Sequence, residues 1–348
     1  MQLIFTFNKN FYTMKNKTMQ SFFFSMLLSV AYILMPVSGY AQTEESKQNA
    51  EKFKLMLGGT FAKPKIMPNM KKFALAQIRV NYKLTTTEST IGKERSTGAM
   101  AGAKLAAYLE TTDGKLVQED FQEITDHFYH YFQLKLKEAG VDTVAWSAIA
   151  SSEFNKSGDD DDDKADKDDP VVMSANANNG NVMYRGKTAF AFGKAKRATN
   201  FCDEMDAAAG FFNITLDFAN ILLDVKINTS EHANAYTIEK TRSFKYKGTV
   251  IPQMIIVPTN FGNSRGSLLW NQKSQAEALA VIDNIPGDGS YSEKVSQDPS
   301  RLKNNLFAFA KSLTPVVIET TRSKYKEGAK RSLEKFADAF IAKSISLR

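Results

Sequence analysis

Alternating apolar and polar positions predict β-strands in the first half of the chain. Residues Phe73 to Leu84 carry apolar side chains at every second position, which is the pattern of a strand with one buried face. Residues Lys104 to Glu110 alternate in the same way. We expect them to pair with the first strand as a hairpin, across a Thr-, Ser- and Gly-rich loop from Thr85 to Gly102.

A helical period follows these strands. Apolar residues recur at three- and four-residue steps from Glu119 to Ala139, and Gly140 is a natural stop for the helix. The short apolar segment from Val141 to Ile149 predicts another strand. Ahead of all these elements, residues Glu44 to Leu57 predict a short helix.

The second half of the chain alternates over longer stretches. Val182 to Phe192, Tyr236 to Tyr246 and Thr249 to Val257 are each strand-like. The most regular stretch is Ile214 to Ile227, but the parity of its apolar positions changes at Phe218–Ala219. A change of parity inside one continuous strand predicts a β-bulge at this point.

Helices are predicted towards the C-terminus. Ser274 to Ile282 reads as a short helix, and Asp298 with Pro299 marks the start of a longer one that runs to Leu313. A second apolar stripe spans Tyr325 to Phe340. These elements together predict an α+β fold, in which a mixed, mainly antiparallel sheet carries packed helices and the chain ends in two amphipathic helices.

The N-terminal region has the pattern of a cleaved export signal. Lys15 and Lys17 precede an apolar run, Phe22 to Met35, and small residues occupy Gly39 and Ala41. A signal peptidase requires small side chains at the third and the first position before the cleavage site, which Gly39 and Ala41 occupy if cleavage precedes Gln42. The alternative is a membrane anchor, for which the run is short, since a membrane-spanning helix needs about 20 apolar residues.

Cleavage is predicted before Gln42, which makes residues 1–41 a signal peptide. The mature chain is then expected in the periplasm or outside the cell. Translation from Met1 and translation from Met14 both retain the signal, so the pattern leaves the start open.

Composition excludes several classes of protein. Cys202 is the single cysteine, so no intrachain disulfide and no four-thiolate zinc site can form, and we expect this residue to be small, buried and structural. The chain has 45 basic and 38 acidic residues, and three of the lysines precede Gln42. The remaining excess, about four positive charges, is too small to indicate a nucleic-acid partner.

The mature chain is not expected to contain a transmembrane span. Its most apolar stretch runs from Ala207 to Leu223, and the polar residues Asn213, Asp217 and Asn220 interrupt it. Such residues are costly in the hydrocarbon region of a bilayer.

An acidic run divides the mature chain. Asp159 to Asp163 form an unbroken series within residues 158–170, and like charges of this density stay solvated. The run lacks the spaced ligands, glycine and closing glutamate of a calcium loop, so we expect a diffuse counter-ion cloud. The predicted organisation is an N-terminal α/β half (42–157), an acidic loop or linker (158–170) and a C-terminal β-rich half ending in helices (171–348).

The predicted strand, long aromatic helix ending at Gly140 and following strand resemble the α/β module of the curli-secretion channel subunit family. The resemblance covers residues 73–150 and, more loosely, the long strand at 213–227. It implies an envelope-associated role in assembly or binding. The lipid-anchor cysteine of that family is missing here, so the resemblance does not extend to the family's membrane role.

One motif is typical of a catalytic serine. Gly262 to Gly266 match G-x-S-x-G, which would place Ser264 on a nucleophile elbow between a strand and a helix. On that fold the histidine follows the serine, whereas His127, His130 and His232 all precede it. A triad is defined by geometry, so His232 stays open as a partner, but we expect a Gly/Asn/Ser turn here.

His127 and His130 lie one helical turn apart and are the candidate metal ligands, with Glu123, Asp126 or His232 as further ligands. The alternative is a pair of exposed i,i+4 acid–histidine contacts, Glu123 with His127 and Asp126 with His130, and this is the arrangement we predict.

No cofactor is expected either. Gly186-Lys187-Thr188 lacks the upstream glycine spacing of a phosphate loop. The leading hypothesis from the sequence is therefore a non-enzymatic exported envelope protein that acts by binding or assembly, with an envelope protein or ligand of unknown identity as its partner. The alternative hypothesis is a secreted serine hydrolase that uses Ser264.

Overall fold

A computed structural model describes residues 43–57, 66–93, 100–157, 172–184, 192–233, 238–261, 264–302 and 310–348. Residues 42–348 form one compact unit. Its α-helices in the described residues are α1 (Glu44–Ala50), α2 (Gln118–Glu138), α3 (Trp146–Ser151), α4 (Glu153–Lys156), α5 (Phe192–Met205) and α6 (Arg322–Ser346). The α+β class predicted from the sequence is confirmed.

In the described residues the strands form a large central sheet, a smaller second layer and a separate pair, Asn260–Phe261 with Ser264–Arg265. In chain order they are β1 (Phe53–Leu57), β2 (Lys72–Lys83), β3 (Thr85–Lys93), β4 (Met100–Thr111), β5 (Asp142–Thr143), β6 (Val172–Asn176), β7 (Ala208–Asp217), β8 (Asn220–Ala233), β9 (Ile238–Ile251), β10 (Ile255–Val257), β11 (Asn260–Phe261), β12 (Ser264–Arg265), β13 (Ser267–Trp270), β14 (Ala276–Val281), β15 (Ile285–Pro286), β16 (Lys294–Gln297), β17 (Ala310–Ser312) and β18 (Val316–Thr320).

In the part of the chain that the structure describes, the central sheet has nine strands and is built around β2 and β7, which run parallel to each other. Strand β7 pairs on its other side with β13 and β10, and the sheet continues to β14 and β1 and to β15. Strand β2 pairs on its other side with β6 and β5. Most other pairings are antiparallel, as the sequence predicted.

Helices cover both faces of this sheet. Neighbouring residues of β7 point to opposite sides, so β7 presents large apolar side chains to the helices on each face. Phe212 contacts Phe132 of α2 and Phe340 of α6, with ring centroids 5.1 and 5.2 Å apart. Phe211 lies in a second buried cluster with Phe201 of α5 and with residues of α3 and α4. The sheet is therefore buried on both faces, and burial of these rings supplies much of the driving force for folding.

The second layer is a five-stranded sheet with a two-stranded ribbon against it. In the sheet, β4 pairs with β3 on one side and with β17 and β18 on the other, and β16 pairs with β18. Strands β8 and β9 form the ribbon, which packs on β3 and β4. Glycines permit the close approach, because a Cβ atom at Gly92 would lie 2.8 Å from the carbonyl oxygen of Val225.

The change of apolar parity at Phe218–Ala219 has a different cause from the one predicted. It marks the place where the chain leaves the central sheet at the end of β7 and enters the ribbon as β8. The prediction of a bulge in one continuous strand is therefore wrong, although its position is right. Strand β2 leaves the central sheet at the same end, since the chain continues from β2 into β3, which begins at Thr85 in the second layer.

Three long elements follow the sequence closely. The strand predicted at Phe73 to Leu84 is β2, the helix predicted at Glu119 to Ala139 is α2, and the stripe at Tyr325 to Phe340 lies in α6. Each has a long periodic stretch, and its predicted apolar positions are buried apart from Leu84, Tyr131 and Ala139, which are half-buried. The prediction of one buried face for β2 is wrong in its first half, because Phe73, Leu75 and Gln77 are buried as well.

Several shorter predictions are wrong. Residues 85–93 of the predicted loop form β3, which is the hairpin partner of β4 in place of β2. The predicted helix at Glu44 to Leu57 ends at Ala50, and β1 follows it. The predicted strand at Val141 to Ile149 contains only the two residues of β5 before α3 begins. A short apolar run fits the period of a helix and that of a strand equally well, so its tertiary contacts decide which conformation it adopts.

The C-terminal half contains further corrections. The predicted helix at Ser274 to Ile282 is strand β14. In place of the helix predicted from Asp298 to Leu313, the described residues form a 3₁₀ turn, Pro299–Arg301, and strand β17. The chain therefore ends in one amphipathic helix, α6, in place of the predicted pair.

Other predictions meet the structure only in part. Val182 to Tyr184 have no regular structure and Phe192 begins α5, so the strand predicted at 182–192 is wrong where it is described. The two strands predicted at 236–246 and 249–257 are the continuous β9 and the short β10. The export signal at 1–41 and the acidic run at 158–170 lie outside the described residues. The halves predicted on either side of that run share the central sheet, because β2 pairs with β7.

Candidate functional site

Ser264 lies in a short β-hairpin. Strand β12 pairs with β11, and after Gly266 the chain continues directly into strand β13. A nucleophile elbow requires a strand, a sharp turn and a helix, whereas the element that follows Ser264 is strand β13. The side chains of Ser264 and His232 are outside the described part of the chain, so the hydrolase alternative stays a prediction.

The two helical histidines have different surroundings from those predicted. Nε2 of His127 lies 2.6 Å from Oε1 of Glu334 on α6. Glu123 binds Lys326 and Lys330, at 2.7 and 2.8 Å, in place of His127. The predicted Glu123–His127 contact is therefore replaced by contacts between two helices.

Asp126, the predicted partner of His130, accepts hydrogen bonds from the Gln122 side-chain amide and from the backbone N–H of Asn178. Across the described residues, no three His, Cys, Asp or Glu side chains converge in an arrangement that could hold a metal ion. Neither candidate ligand, His127 or His130, is thus brought together with a set of ligands.

Helices α2 and α6 are joined by a ladder of polar contacts. Arg322 binds the Asp120 carboxylate at 2.9 Å, and the hydroxyl of Tyr131 donates to Asp338 at 3.2 Å. The Glu123 and His127 contacts lie between these two ends. Partners advance in the same direction along both helices, so the helices run parallel, and the ladder fixes their register on the sheet. Its role is structural.

Cys202 is a buried structural residue, as predicted. It lies in the apolar cluster under α5, and burial raises the pKa of its thiol to about 12. A thiol is a nucleophile only as the thiolate, so this side chain is unreactive at neutral pH.

A buried carboxylate lies where the two central strands leave the sheet. Asp217, the last residue of β7, accepts a hydrogen bond from Thr86 of β3 at 2.8 Å and one from the backbone N–H of Ala219 at 3.2 Å. Its side chain also pairs with Lys83, the last residue of β2. Burial raises the pKa of Asp217. Asp217 thus links the end of β7 to the end of β2 and to β3, and it positions the second layer against the central sheet.

The ribbon of β8 and β9 is long and regular. Its 14 residue pairs run without a break from Asn220–Ile251 to Ala233–Ile238, which corresponds to a length of about 45 Å. Within the described residues, neither strand pairs with a third strand. Leu222 and Phe244 are large apolar side chains on the ribbon, and they are 52% and 42% exposed.

A cleft of about 550 Å³ lies at the opposite end of the central sheet, where β2 and β7 begin. Three segments form its walls: residues 66–72, residues 206–208 and the turn between β13 and β14. Its polar lining consists of three lysines, one acid and four amides, namely Lys71, Lys72, Lys273, Asp206, Asn69, Asn271, Gln272 and Gln275.

Backbone and side-chain hydrogen bonds fix each wall of this cleft. Nζ of Lys72 donates to the carbonyl of Met205 at 2.9 Å, which caps the C-terminal end of α5. The buried carboxylate of Glu277 accepts from the backbone N–H of Ile66 at 2.9 Å. The side-chain oxygen of Asn271 accepts from the N–H groups of Lys273 and Gln275, each at 3.0 Å.

No protein-family model, no curated protein and no solved structure matches this chain. No helix among the described residues is both long enough and apolar enough to cross a membrane. The ribbon and the cleft are therefore interpreted from their own geometry.

Proposed function

We propose that this chain is a non-enzymatic, exported protein of the bacterial envelope that assembles with further copies of itself through the β8–β9 ribbon. The observation that carries the proposal is the ribbon itself, a two-stranded sheet of 14 pairs whose outer edges have no third strand in the described residues.

The backbone of an edge strand is a template for another strand. Pairing with another strand would satisfy the outward N–H and C=O groups of both partners. The stretches Leu222–Asn228 and Arg242–Thr249 offer such edges, and alternate side chains of the first stretch are exposed. Additional pairing would also cover exposed apolar side chains such as Leu222 and Phe244.

Charge favours one way of joining two ribbons. The described part of β9 carries Arg242, Lys245 and Lys247, whereas β8 carries Asp224 and Lys226. Two β9 edges would place like charges opposite each other, which is destabilising. We infer that β9 of one copy pairs with β8 of the next, an arrangement that produces closed rings or open filaments.

The N-terminal sequence supports the envelope location. Lys15, Lys17, the apolar run Phe22 to Met35 and the small residues before Gln42 form the export pattern. The resemblance of residues 73–150 to the curli-secretion channel subunit family retains its strand and its long helix, β2 and α2, whereas the strand predicted at Val141 to Ile149 contains only the two residues of β5. Sequencing of exported protein is expected to give Gln42 as the first residue, and retention of the apolar run after export would contradict the export proposal.

Shortening the ribbon tests the assembly. Leu223 and Gly248 are direct partners, so Asp224 to Lys247 can be replaced by Asn-Gly, which closes a two-residue hairpin turn. The deletion removes Val225, which approaches Gly92, but it retains Gly248, where a Cβ would lie 2.8 Å from Cδ2 of Leu105. We expect light scattering after size exclusion to show an assembly for the parent and a monomer for the shortened chain.

The control deletes a segment far from the ribbon in sequence, with Gly158 to Asp169 replaced by a short Gly/Ser linker. This variant is expected to assemble like the parent. Far-UV circular dichroism and the melting temperature verify that both deletion variants are folded. A monomeric parent over the whole accessible concentration range, or a folded short-ribbon variant that assembles like the parent, would reject the proposal.

A further inference from the structure

We infer that the cleft between residues 66–72, 206–208 and 271–275 binds a phosphorylated polyol, with the phosphate held by lysine side chains and the hydroxyl groups held by amides. This site lies at the end of the central sheet opposite the exits to the second layer. The inference does not depend on the proposed assembly.

The charge of the cleft is the first argument. Lys71, Lys72 and Lys273 line it with a single acid, Asp206, whose carboxylate accepts a hydrogen bond from Gln272 at 2.9 Å. Lys72 is held by the Met205 carbonyl. Among the described residues no carboxylate lies within 4.0 Å of the ammonium groups of Lys71 or Lys273, which are both exposed. Two cations are thus available to an anion, and ammonium groups are common phosphate ligands.

The rigidity of the turn from Asn271 to Gln275 is the second argument. Asn271 binds two backbone N–H groups of the turn and the Gln275 side chain, and Ser274 has a φ of 56°. Oγ of Ser274 lies 3.1 Å from Oγ1 of Thr199 on α5. A turn fixed in this way holds the backbone of Lys273 beside the cleft before a ligand arrives, which lowers the backbone entropy lost on binding.

The lining decides the class of ligand. A volume of about 550 Å³ falls within the range of small-molecule sites and exceeds what one inorganic phosphate fills. Nε2 of Gln272 already donates to Asp206 and Oε1 of Gln275 already accepts from Asn271, so Oε1 of Gln272 can accept from a hydroxyl group and Nε2 of Gln275 can donate to one. None of these lining residues is aromatic, so a neutral sugar would lack a ring to stack on. Phosphate together with hydroxyl groups is the chemistry that fits.

Calorimetry on the purified mature chain tests the inference, with glycerol 3-phosphate as the probe. We expect saturable binding that weakens as salt is added. Lys71→Gln combined with Lys273→Gln is expected to weaken it about tenfold or more, since each charge-assisted hydrogen bond contributes measurably to affinity. The matched control is Lys54→Gln with Lys137→Gln, which removes the same charge from exposed positions outside the cleft.

Two further probes separate the sources of such a ligand. Vesicles containing phosphatidylglycerol present the same phosphate and hydroxyl groups at a membrane surface, and glycerol tests the hydroxyl groups alone. Binding to glycerol 3-phosphate that depends on the cleft lysines supports a soluble ligand, and cleft-dependent binding to vesicles alone supports a lipid headgroup. Absence of binding to both, or equal loss in the control variant, would overturn the inference.

Discussion

Oδ2 of Asp217 lies 3.1 Å from Nζ of Lys83, and this ion pair joins the last residues of the two central parallel strands. The two partners differ in exposure, because the side chain of Asp217 is 4% exposed and that of Lys83 is 27% exposed. Both strands cross into the second layer within three residues of the pair. The ion pair therefore links β2 to β7 at the point where the chain passes from the central sheet into β3 and into the ribbon.

The difference in exposure predicts unequal effects of mutation. Lys83→Met leaves a buried carboxylate without its cation, and we expect a loss of about 2–4 kcal/mol in the free energy of unfolding at pH 7. Asp217→Asn leaves the lysine able to reach water and should cost less. Urea denaturation of both variants measures the two losses, and equal losses would contradict this account of the junction.

The same pair predicts a pH dependence. Burial already raises the pKa of Asp217, and loss of Lys83 would raise it further. When folding raises the pKa of an acidic group, the protein loses stability as the pH rises from the pKa of the unfolded state towards the pKa of the folded state. The deficit of Lys83→Met should thus be smaller at pH 4 than at pH 7. A deficit independent of pH would show that Asp217 is not the group responsible.

Glu123 predicts the opposite trend. Hydrogen bonds from Lys326 and Lys330 lower its pKa to about 2. Stability from this carboxylate is present above its unfolded pKa of about 4.5 and is lost as the pH falls towards 2. The side chain is 49% exposed, so we expect less than about 1 kcal/mol. Glu123→Gln should flatten the melting temperature between pH 4.5 and pH 2, and an unchanged profile would argue against the ladder.

The histidines are expected to be dispensable. His127→Ala with His130→Ala removes one contact of the ladder, that with Glu334, and should cost no more than about 1.5 kcal/mol because the His127 side chain is 40% exposed. Chemical denaturation and metal analysis of the purified chain check this. Stoichiometric zinc in the parent that disappears in the double variant would restore the metal hypothesis.

Gly328 lies within α6, and two effects compete when it is replaced by alanine. Helix propensity favours alanine by about 1 kcal/mol. The new Cβ, however, would lie 2.8 Å from Cβ of Tyr291 and 3.0 Å from the Asp288 carboxylate, and overpacking of this kind costs about 1–3 kcal/mol. Gly328→Ala should therefore lower the melting temperature. A rise would mean that the helix moves away without cost.

The sequence predicted the elements that have a long, regular pattern of apolar residues. Helix α2 shows seven apolar positions at helical spacing, and β2 has an apolar residue at every second position from Ala74 to Leu84, so both could be located within one or two residues. Strand β14 could not, because Ala276 to Val281 is a short apolar run that fits either period. Its conformation depends on pairing with the preceding strand β13 across a short turn and with β1, which is distant in the sequence.

The candidate sites show the same division. The change of parity at Phe218–Ala219 located the start of the ribbon, although a single strand does not reveal which sheet it joins. No motif signals the cleft, since Lys71, Asp206 and Lys273 come from three separate segments that meet only in the folded chain. The match at Ser264 shows the converse, because the motif occurs without the strand, turn and helix that would give it meaning.

The most direct test of ribbon-mediated assembly joins β8 of one copy to β9 of another. Asp224 and Lys247 are exposed partners within one chain, so Asp224→Cys and Lys247→Cys are placed on separate chains that are exported by the same cells. Cys202 is buried and does not compete for a short bis-maleimide. The account predicts a cross-linked dimer, with the two substituted positions joined, when both variants are present, and little cross-linking when either is alone. Dimers from either variant alone, or none from the mixture, would contradict it.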